Sequence, residues 1–382
     1  MGNLAFTLGV KRSRHQHRIS IVASNINELR VRLDDVSLGI ERAIKAATRP
    51  NVCYAFTGQG AQWAGMGQEL MSRYPIFMRS IQGSEGEIND VGAPWSLIEE
   101  IKKDKGLSRM HEAEFSQPCC TAVQIALVDL LHSWGVDPDF VCGHSSGEMA
   151  AAYAAGILTA RDAIKVAYFR GRATMSPKAR LSAGRMMAAG LSESSAQSYI
   201  SSYTGQIVVA CINSPLSVTF SGDAAALEKL KADLDKDDVF NRPLNVDVAY
   251  HSHHMVPIGE KYQMDIQDIN PRPNKNAVTM VSSVTGEKVT GSDLGAEYWR
   301  RNLVSPVRFS DALKRILEEQ PKGSTNPTLV IEVGPHPALQ RPIMSIFDSS
   351  VALNSMGYLP SLSRSTNTIA EVVKLAGKLF SN

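Results

Sequence analysis

The sequence contains no long apolar run and almost no excess of one charge. Its 382 residues include 40 Lys and Arg against 38 Asp and Glu, for a formal net charge of +2. No stretch approaches the roughly 20 apolar residues that span a bilayer, and the first residues lack the pattern of a secretory signal. A nucleic-acid surface needs clustered cations, which this balance argues against. We therefore expect neither a membrane nor a nucleic-acid partner.

Cysteine is scarce, and its placement argues against disulfides and metal sites. The five cysteines are an odd number and lie mostly in apolar runs; they are Cys53, Cys119, Cys120, Cys142 and Cys211. They show neither Cys-x-x-Cys nor Cys/His ligand spacing, so the sequence suggests no bound metal. Buried free thiols are typical of a reducing compartment. We expect a cytoplasmic protein.

Strand-like and helix-like segments alternate along most of the chain. Residues 1–50 predict a small α/β unit, with a helix in NLAFTLGV, a strand in RISIVAS and an amphipathic helix in INELRVRLDDVSLGIERAIKAA. From residue 51 onward, alternating strands and helices predict a mostly parallel sheet with helices on both faces. We expect an α/β fold whose large core resembles that of the α/β-hydrolases.

The pattern changes between residues 183 and 246. The segments AGRMMAAG, QIVVACINSP and LSVTFSGD read as strands, separated by the helical SSAQSYISSY and AAALEKLKADLDK. The order strand, helix, strand, strand, helix, strand is that of a split βαβ, or ferredoxin-like, unit. We expect this small subdomain to be inserted into the larger core.

A serine stands between two glycines where a strand is followed by a helix. Residues 143–147 read GHSSG, preceded by DFVCG and followed by EMAAAYAAGIL. This is the G-x-S-x-G pattern in its strand–turn–helix context, which presents Ser145 as a nucleophile on a tight turn. The first N–H groups of the following helix would point to where an oxyanion forms. A glycine-rich turn with an incidental serine is the alternative interpretation.

The residues alone leave the serine's base open. An α/β-hydrolase would place an acid and then a histidine after the serine, and the late histidine here is His336 in GPHPAL. The segment YHSHH at residues 250–254 offers better-placed candidates. No flanking pattern marks an aspartate that would orient the base, so another group is expected to hold it.

Six motifs then occur in the order found in one enzyme family. They are FTGQGAQWAGMGQEL, GHSSGEMAAAYAAGIL, YFRGRATM, VAYHSHHM, YWRRNLVSPVRFSDAL and IEVGPHPAL. The chain resembles the acyltransferases of fatty acid and polyketide synthases, and most closely the malonyl-type region of fungal highly reducing iterative polyketide synthases. The resemblance covers nearly the whole chain, which we expect to be one region of a multidomain megasynthase of fungal secondary metabolism.

The resemblance also implies a division of the chain. Residues 1–50 would link a ketosynthase to the acyltransferase, and residues 51–182 would form the first part of the large subdomain. Residues 183–246 would form the small subdomain, residues 247–355 the second part of the large one, and residues 356–382 a following linker.

The resemblance assigns the reacting groups. Ser145 would be the nucleophile and His251 its general base, with the backbone carbonyl of Asn302 orienting the imidazole in place of an acid. The backbone N–H groups of Gln59 and Ser146 would form the oxyanion hole. A thioester is reactive enough for such a dyad.

Further residues would select the acyl group. Arg170 would grip the free carboxylate of a malonyl group, because a guanidinium fork forms two parallel charge-assisted bonds to a carboxylate. Arg172, two residues on, faces another side of the helix. The acyl pocket would be set by the segment before the catalytic histidine and by the small-subdomain strand, through Val248, Ala249, Tyr250 and Met187. The bulk of the tyrosine favours malonyl over methylmalonyl. For His144 we expect a packing role, and for His253 and His254 a polar role at or near the surface.

The implied reaction takes malonyl from malonyl-CoA to the phosphopantetheine thiol of an acyl carrier protein through a malonyl-serine. It requires no bound cofactor, and its other partners would be the neighbouring ketosynthase and dehydratase domains. Three other interpretations are a serine hydrolase, a non-catalytic scaffold region and an acyltransferase for starter groups without a free carboxylate. The presence of Ser145, His251 and Arg170 disfavours the last two, and the arginine and the GQGAQ turn disfavour the first.

Overall fold

The computed structural model describes residues 1–45, 50–180, 183–274, 278–319, 328–349, 356–364 and 366–381. The expected segment limits at residues 182 and 355 lie outside these ranges, and the division of the chain stays a prediction. Among the described residues, no helix is long and apolar enough to cross a membrane.

The strands form a two-stranded, a six-stranded and a four-stranded sheet. In chain order they are β1 (His17–Arg18), β2 (Ile44–Lys45), β3 (Asn51–Phe56), β4 (Phe140–Gly143), β5 (Gly184–Ala189), β6 (Ile207–Ser214), β7 (Ser217–Asp223), β8 (Asn241–Pro243), β9 (Thr279–Val281), β10 (Lys288–Val289), β11 (Thr328–Val333) and β12 (Met356–Pro360).

The α-helices lie between these strands and at both ends. They are α1 (Gly2–Phe6), α2 (Ile26–Ser37), α3 (Gln68–Arg73), α4 (Pro75–Asp90), α5 (Leu97–Lys102), α6 (Ala113–Ser133), α7 (Glu148–Ala154), α8 (Ala160–Met175), α9 (Glu193–Ile200), α10 (Ala224–Lys236), α11 (Val256–Asp265), α12 (Ala296–Val304), α13 (Phe309–Glu318), α14 (Gln340–Asp348) and α15 (Thr368–Ser381).

The six-stranded sheet has the order β10-β9-β4-β3-β11-β12. All its pairs are parallel except that of β10 with β9. Strand β11 is buried along its whole length and β3 along nearly all of it, as expected for central parallel strands covered on both faces. The prediction of an α/β fold with a mostly parallel sheet is confirmed. The carboxyl ends of β3, β4 and β11 meet at one edge, where ligands bind in such sheets.

The four-stranded sheet is antiparallel and has the order β6-β7-β5-β8. With α9 between β5 and β6, and α10 between β7 and β8, this is the ferredoxin-like arrangement that the sequence predicts. Most of its buried apolar side chains form a cluster separate from the larger core around the six-stranded sheet, to which Met186, Ala210 and Cys211 belong. The small sheet is therefore a unit with its own core.

The N-terminal unit differs in detail from its prediction. The expected strand over residues 18–24 is reduced to the two-residue β1, paired antiparallel with β2. The expected helix over residues 26–47 ends at Ser37, because Gly39 takes a left-handed conformation (φ +72°) that stops it; residues 46 and 47 lie outside the described ranges. Neither α1 nor α2 contains a buried residue. The helical periodicity of this part of the sequence therefore does not correspond to a buried helix face.

Candidate functional site

A strained turn presents Ser145 at the carboxyl end of β4. The chain passes from β4 through a 3₁₀ turn at Ser145–Gly147 directly into α7. Ser145 has φ +53°, a left-handed conformation that side chains rarely adopt. A Cβ on Gly143 would lie 2.3 Å from the backbone N of Glu148, and one on Gly147 would lie 2.4 Å from the Phe56 carbonyl oxygen. Only glycine fits at either end of this turn.

His251 lies beside the serine and is held by a backbone carbonyl. Its Nε2 is 2.8 Å from Ser145 Oγ, and its Nδ1 is 2.9 Å from the carbonyl oxygen of Ser305. The expectation that Asn302 supplies this carbonyl is wrong. Asn302 lies inside α12, where carbonyls point along the helix axis, whereas Ser305 caps that helix with extended backbone (φ −88°, ψ 158°). The helix must end before a carbonyl can turn to the imidazole.

This arrangement fixes the state of the imidazole. A carbonyl can only accept, so Nδ1 carries the proton and Nε2 is free to accept the proton of Ser145. Burial, and secondarily the charge of Arg170, lowers the pKa of His251 to about 3. The imidazole is therefore neutral and able to act as a base. His336 is the other histidine considered from the sequence. Its Nδ1 accepts a hydrogen bond from the backbone N–H of Arg364.

Arg170 brings a buried positive charge to the serine. It extends from α8, is 1% exposed, and donates from Nη2 to Ser145 Oγ at 3.0 Å. Its Nη1 donates to Gln117 Oε1, also at 3.0 Å, and its Nε has no partner in the described parts of the chain. Among the described residues it forms no ion pair, and burial lowers its pKa. A buried cation without an ion-pair partner costs free energy. The guanidinium of Arg170 would therefore be stabilised by an anion. Arg172, by contrast, is exposed and lies 5.5 Å from the Tyr168 ring.

Gln117 is a site residue that the sequence analysis missed. It lies on α6, is buried, and orients the guanidinium of Arg170 through Oε1. Its Nε2 finds no partner among the described residues. The signal was a glutamine before Pro118 inside an otherwise apolar helix, where a polar side chain needs a specific partner.

Glu148 is a second missed residue, and it joins the serine turn to α12. Its Oε1 accepts from the backbone N–H of Ser283, and its Oε2 accepts from Tyr298 OH at 2.7 Å and Asn302 Nδ2 at 2.9 Å. The same Nδ2 donates to the backbone carbonyl of Ser145 at 3.1 Å. Burial raises the pKa of Glu148. The network connects the turn carrying the serine with the helix whose end holds the histidine.

The turn after β3 approaches the serine turn closely. A Cβ on Gly58 would lie 2.5 Å from the carbonyl oxygen of His144, so this contact requires glycine. Gln59 and Ser145 line the same cavity, and within the described ranges the backbone N–H of Gln59 has no acceptor. Two adjacent, unengaged donors are what an oxyanion hole requires; the assignment of Gln59 and Ser146 to it stays a prediction.

A cavity of about 1050 Å³ opens over the serine and is lined by both subdomains. Val248 and Tyr250 line it as expected, but Ala249 does not and instead packs against Gly184, where an added Cβ would lie 2.8 Å from the alanine Cβ. The expectation for Met187 is also wrong. Side chains alternate along β5, so Met186 faces the cavity and Met187 is buried in the small-subdomain core.

Three further histidines, His144, His253 and His254, contact side chains other than those of Ser145, His251 and Arg170. His144 Nε2 is 2.9 Å from Asn213 Oδ1, a contact that ties the serine turn to β6. His253 and His254 both contact Asp223. All five cysteines are free and buried, as predicted.

Together these groups can acylate a serine. A neutral base faces the hydroxyl of Ser145, and a buried cation lies beside the same oxygen. That set suits attack on an activated acyl group that itself carries a negative charge.

Comparison with known proteins gives a consistent result. The family model described as "Acyl transferase domain" matches residues 53–380. Over 389 residues the chain is 45% identical to the highly reducing polyketide synthase sdnO of Sordaria araneosa and 44% identical to the reducing polyketide synthase rdc5 of Metacordyceps chlamydosporia. These matches cover 99% and 100% of the chain but 13% and 16% of the relatives, so it spans about a seventh of their length.

Solved structures show the same fold. The acyltransferase domain from module 8 of the salinomycin polyketide synthase is 29% identical with a TM-score of 0.89, over 100% of this chain and 88% of that one. A loading acyltransferase from the avermectin modular polyketide synthase is 30% identical with a TM-score of 0.77, over 86% of this chain and 99% of that one.

Proposed function

The chain belongs to the acyltransferase family, as a domain of the kind found in fungal reducing polyketide synthases, and from this premise we propose that it transfers malonyl groups from malonyl-CoA to an acyl carrier protein. Its product would be an extender unit on the carrier's phosphopantetheine thiol. The donor and acceptor are substrates, and none of the steps uses a resident cofactor.

The observation that carries the choice of malonyl is the buried charge of Arg170. Its guanidinium has only neutral partners in the described structure, and one of them is Ser145 Oγ. The terminal carboxylate of a malonyl group on that oxygen would supply the missing anion through a charge-assisted fork. An acetyl group would leave the cation buried and unpaired, which costs several kcal/mol of binding (~2–5).

The first half-reaction loads the serine. Ser145 Oγ attacks the thioester carbonyl of malonyl-CoA and gives its proton to His251 Nε2, while the N–H groups of Gln59 and Ser146 receive the oxyanion. The carbon–sulfur bond then breaks, and CoA leaves as the thiol with the proton from His251. The Ser305 carbonyl, 2.9 Å from Nδ1, stabilises the transient imidazolium.

The second half-reaction reverses these roles. The phosphopantetheine thiol of the carrier protein enters the cavity, loses its proton to His251 and attacks the malonyl-serine ester. The serine oxygen leaves and regains the proton, so malonyl becomes a thioester of the carrier. One donor leaves before the acceptor binds, which predicts ping-pong kinetics. In a longer protein, a neighbouring ketosynthase would use the product in condensation, and a dehydratase would be a further neighbouring domain.

The direct test is intact-mass analysis of the protein after separate exposure to malonyl-CoA, methylmalonyl-CoA and acetyl-CoA. We expect a covalent malonyl adduct on the wild type and none on Ser145→Ala. Addition of a phosphopantetheinylated carrier protein should then remove the adduct from the enzyme and place it on the carrier.

Each competing activity has its own outcome in this experiment. Loss of the adduct to free malonate, with or without carrier, would indicate a hydrolase. An acetyl adduct in preference to malonyl would indicate a starter-unit enzyme. A folded protein that acquires no adduct from any donor would contradict acyl transfer and favour a scaffold role.

A further inference from the structure

We propose that Asp223, His253 and His254 form a binding site for Zn²⁺ that joins the small subdomain to the segment carrying His251. The three residues each offer one ligand atom, and these atoms lie within 4.8 Å of one another. His254 Nε2 is 2.7 Å and His253 Nε2 is 3.2 Å from the same oxygen, Asp223 Oδ1. Two imidazoles therefore converge on one carboxylate oxygen.

The local backbone explains how two consecutive histidines can converge. They begin a 3₁₀ turn at His253–Met255, which Ser252 caps by accepting the backbone N–H of His254. The two rings are 4.4 Å apart between centroids and tilted by 50°, so both Nε2 atoms reach the end of β7, where Asp223 lies. The turn and the strand end hold the three side chains in place from separate elements, which is the preorganisation that a metal site needs.

The donor set selects the class of ion. Two imidazole nitrogens and one carboxylate oxygen suit zinc and its first-row neighbours rather than calcium or magnesium, which prefer oxygen alone. With zinc–ligand distances near 2.0–2.1 Å, tetrahedral ligand atoms lie about 3.3 Å apart. The two His–Asp spacings here are 2.7 Å and 3.2 Å, and all three ligand atoms lie within 4.8 Å of one another. Binding requires neutral imidazoles with the proton moved to Nδ1, which leaves both Nε2 lone pairs for the ion.

Burial gives the site a fixed side and an open side. The His254 side chain is 3% exposed, whereas those of His253 and Asp223 are 42% and 38% exposed. An ion can therefore enter from solvent, and a water molecule can take the fourth position. Because Asp223 ends β7 and the histidines follow His251 by two and three residues, an ion here would tie the small sheet to the catalytic segment.

The proposal is tested by zinc binding to the full chain, measured by competition with a chromophoric chelator. We expect one equivalent of zinc to be held, with a concentration-dependent rise in melting temperature. His253→Ala and Asp223→Asn should each weaken binding at least about tenfold, since even loss of a group behind a ligand costs that much. Cobalt should give the intense visible bands of tetrahedral coordination, and these should vanish in His253→Ala.

The matched control is His132→Ala, which removes another histidine–aspartate pair, His132 with Asp137, for which the described residues offer no third ligand. It should bind zinc as the wild type does. His253 is exposed, so its variant is expected to fold even where His254→Ala does not. Zinc affinity unchanged in His253→Ala and Asp223→Asn, or a cobalt spectrum without tetrahedral bands, would overturn the proposal.

Discussion

At the scale of single residues, the buried guanidinium of Arg170 is the feature on which the proposed selectivity for malonyl rests. Gln117 holds it on one side and the serine on the other. Tyr250 lines the same cavity, with its ring centre 5.8 Å from the guanidinium carbon. Under the proposed function, the charge of Arg170 and the volume of Tyr250 are expected to act separately on the choice of acyl group.

Replacing Gln117 should weaken the use of malonyl-CoA without removing the nucleophile. A buried hydrogen bond to a charged group contributes about 1.5–3 kcal/mol, so Gln117→Leu should raise the KM for malonyl-CoA roughly ten- to a hundredfold. Thr121→Val, one turn along the same helix, is the control. Steady-state kinetics that gave both variants the wild-type KM would contradict this role.

Shortening Tyr250 should relax discrimination at the α-carbon of the donor. One methyl group is worth about 1–3 kcal/mol in an apolar pocket, so Tyr250→Ala should raise the use of methylmalonyl-CoA relative to malonyl-CoA about tenfold. Tyr250→Phe keeps the ring and should leave the ratio unchanged. Competition between the two donors, followed by mass spectrometry, measures this ratio. An unchanged ratio in Tyr250→Ala would show that a different part of the cavity excludes the methyl group.

The sequence identified residues better than it identified contacts. The structure brings Ser145, His251 and Arg170 together, and each was named from a motif. The carbonyl that accepts from His251 was assigned to Asn302 instead of Ser305, because a motif does not show where helix α12 ends. Gln117 and Glu148 were missed because their hydrogen-bond partners, among them Arg170 and Asn302, lie far away in sequence.

At the scale of elements, the position of α12 relative to the serine turn depends on Glu148. Replacement by leucine removes the acceptor of the Ser283 N–H and one of the two acceptors of Asn302 Nδ2, whose other acceptor is the Ser145 carbonyl. The hydroxyl of Tyr298 keeps Ser282 Oγ as a partner. Unsatisfied buried donors cost about 1–3 kcal/mol each, so Glu148→Leu should lower the free energy of unfolding by about 2 kcal/mol or more.

Urea unfolding followed by circular dichroism measures this loss. Glu260→Leu, an exposed position on α11, is the control and should change stability by less than about 0.5 kcal/mol. Equal unfolding free energies for the two variants would mean that the Glu148 network does not stabilise the fold.

Glu332 on β11 should make stability depend on pH. Burial raises its pKa to about 7, although Tyr358 OH and the backbone N–H of Leu339 donate to it. Because the folded state holds this proton more tightly than the unfolded state, stability is fully present below the unfolded pKa near 4.5 and falls as pH rises through about 7. The loss should approach about 3 kcal/mol.

The measurement compares urea unfolding of the wild type and Glu332→Gln between pH 5 and 8. The wild type should lose stability relative to the variant as pH rises across this range, because glutamine does not ionise. A difference between the two proteins that is constant over the range would contradict the elevated pKa.

At the scale of the whole molecule, alternation of strands and helices was enough to predict both sheets. The hydrophobic runs of β3, β4 and β11 require burial on two faces, and the split βαβ order required a second sheet. Periodicity could not predict how the two units meet over the serine, since the cavity is lined by loops and by residues of β5, β6 and β7. The expectation that Met187 lines the cavity failed for that reason.

The central claim is that a buried cation selects a carboxylated acyl group, and the most direct test is the ratio of kcat/KM for malonyl-CoA to that for acetyl-CoA. In Arg170→Ala this ratio should fall at least about thirtyfold, which corresponds to about 2 kcal/mol. Arg172→Ala, on the exposed side of the same helix, should keep the wild-type ratio. A folded, active Arg170→Ala enzyme that still prefers malonyl-CoA by the wild-type factor would contradict the account.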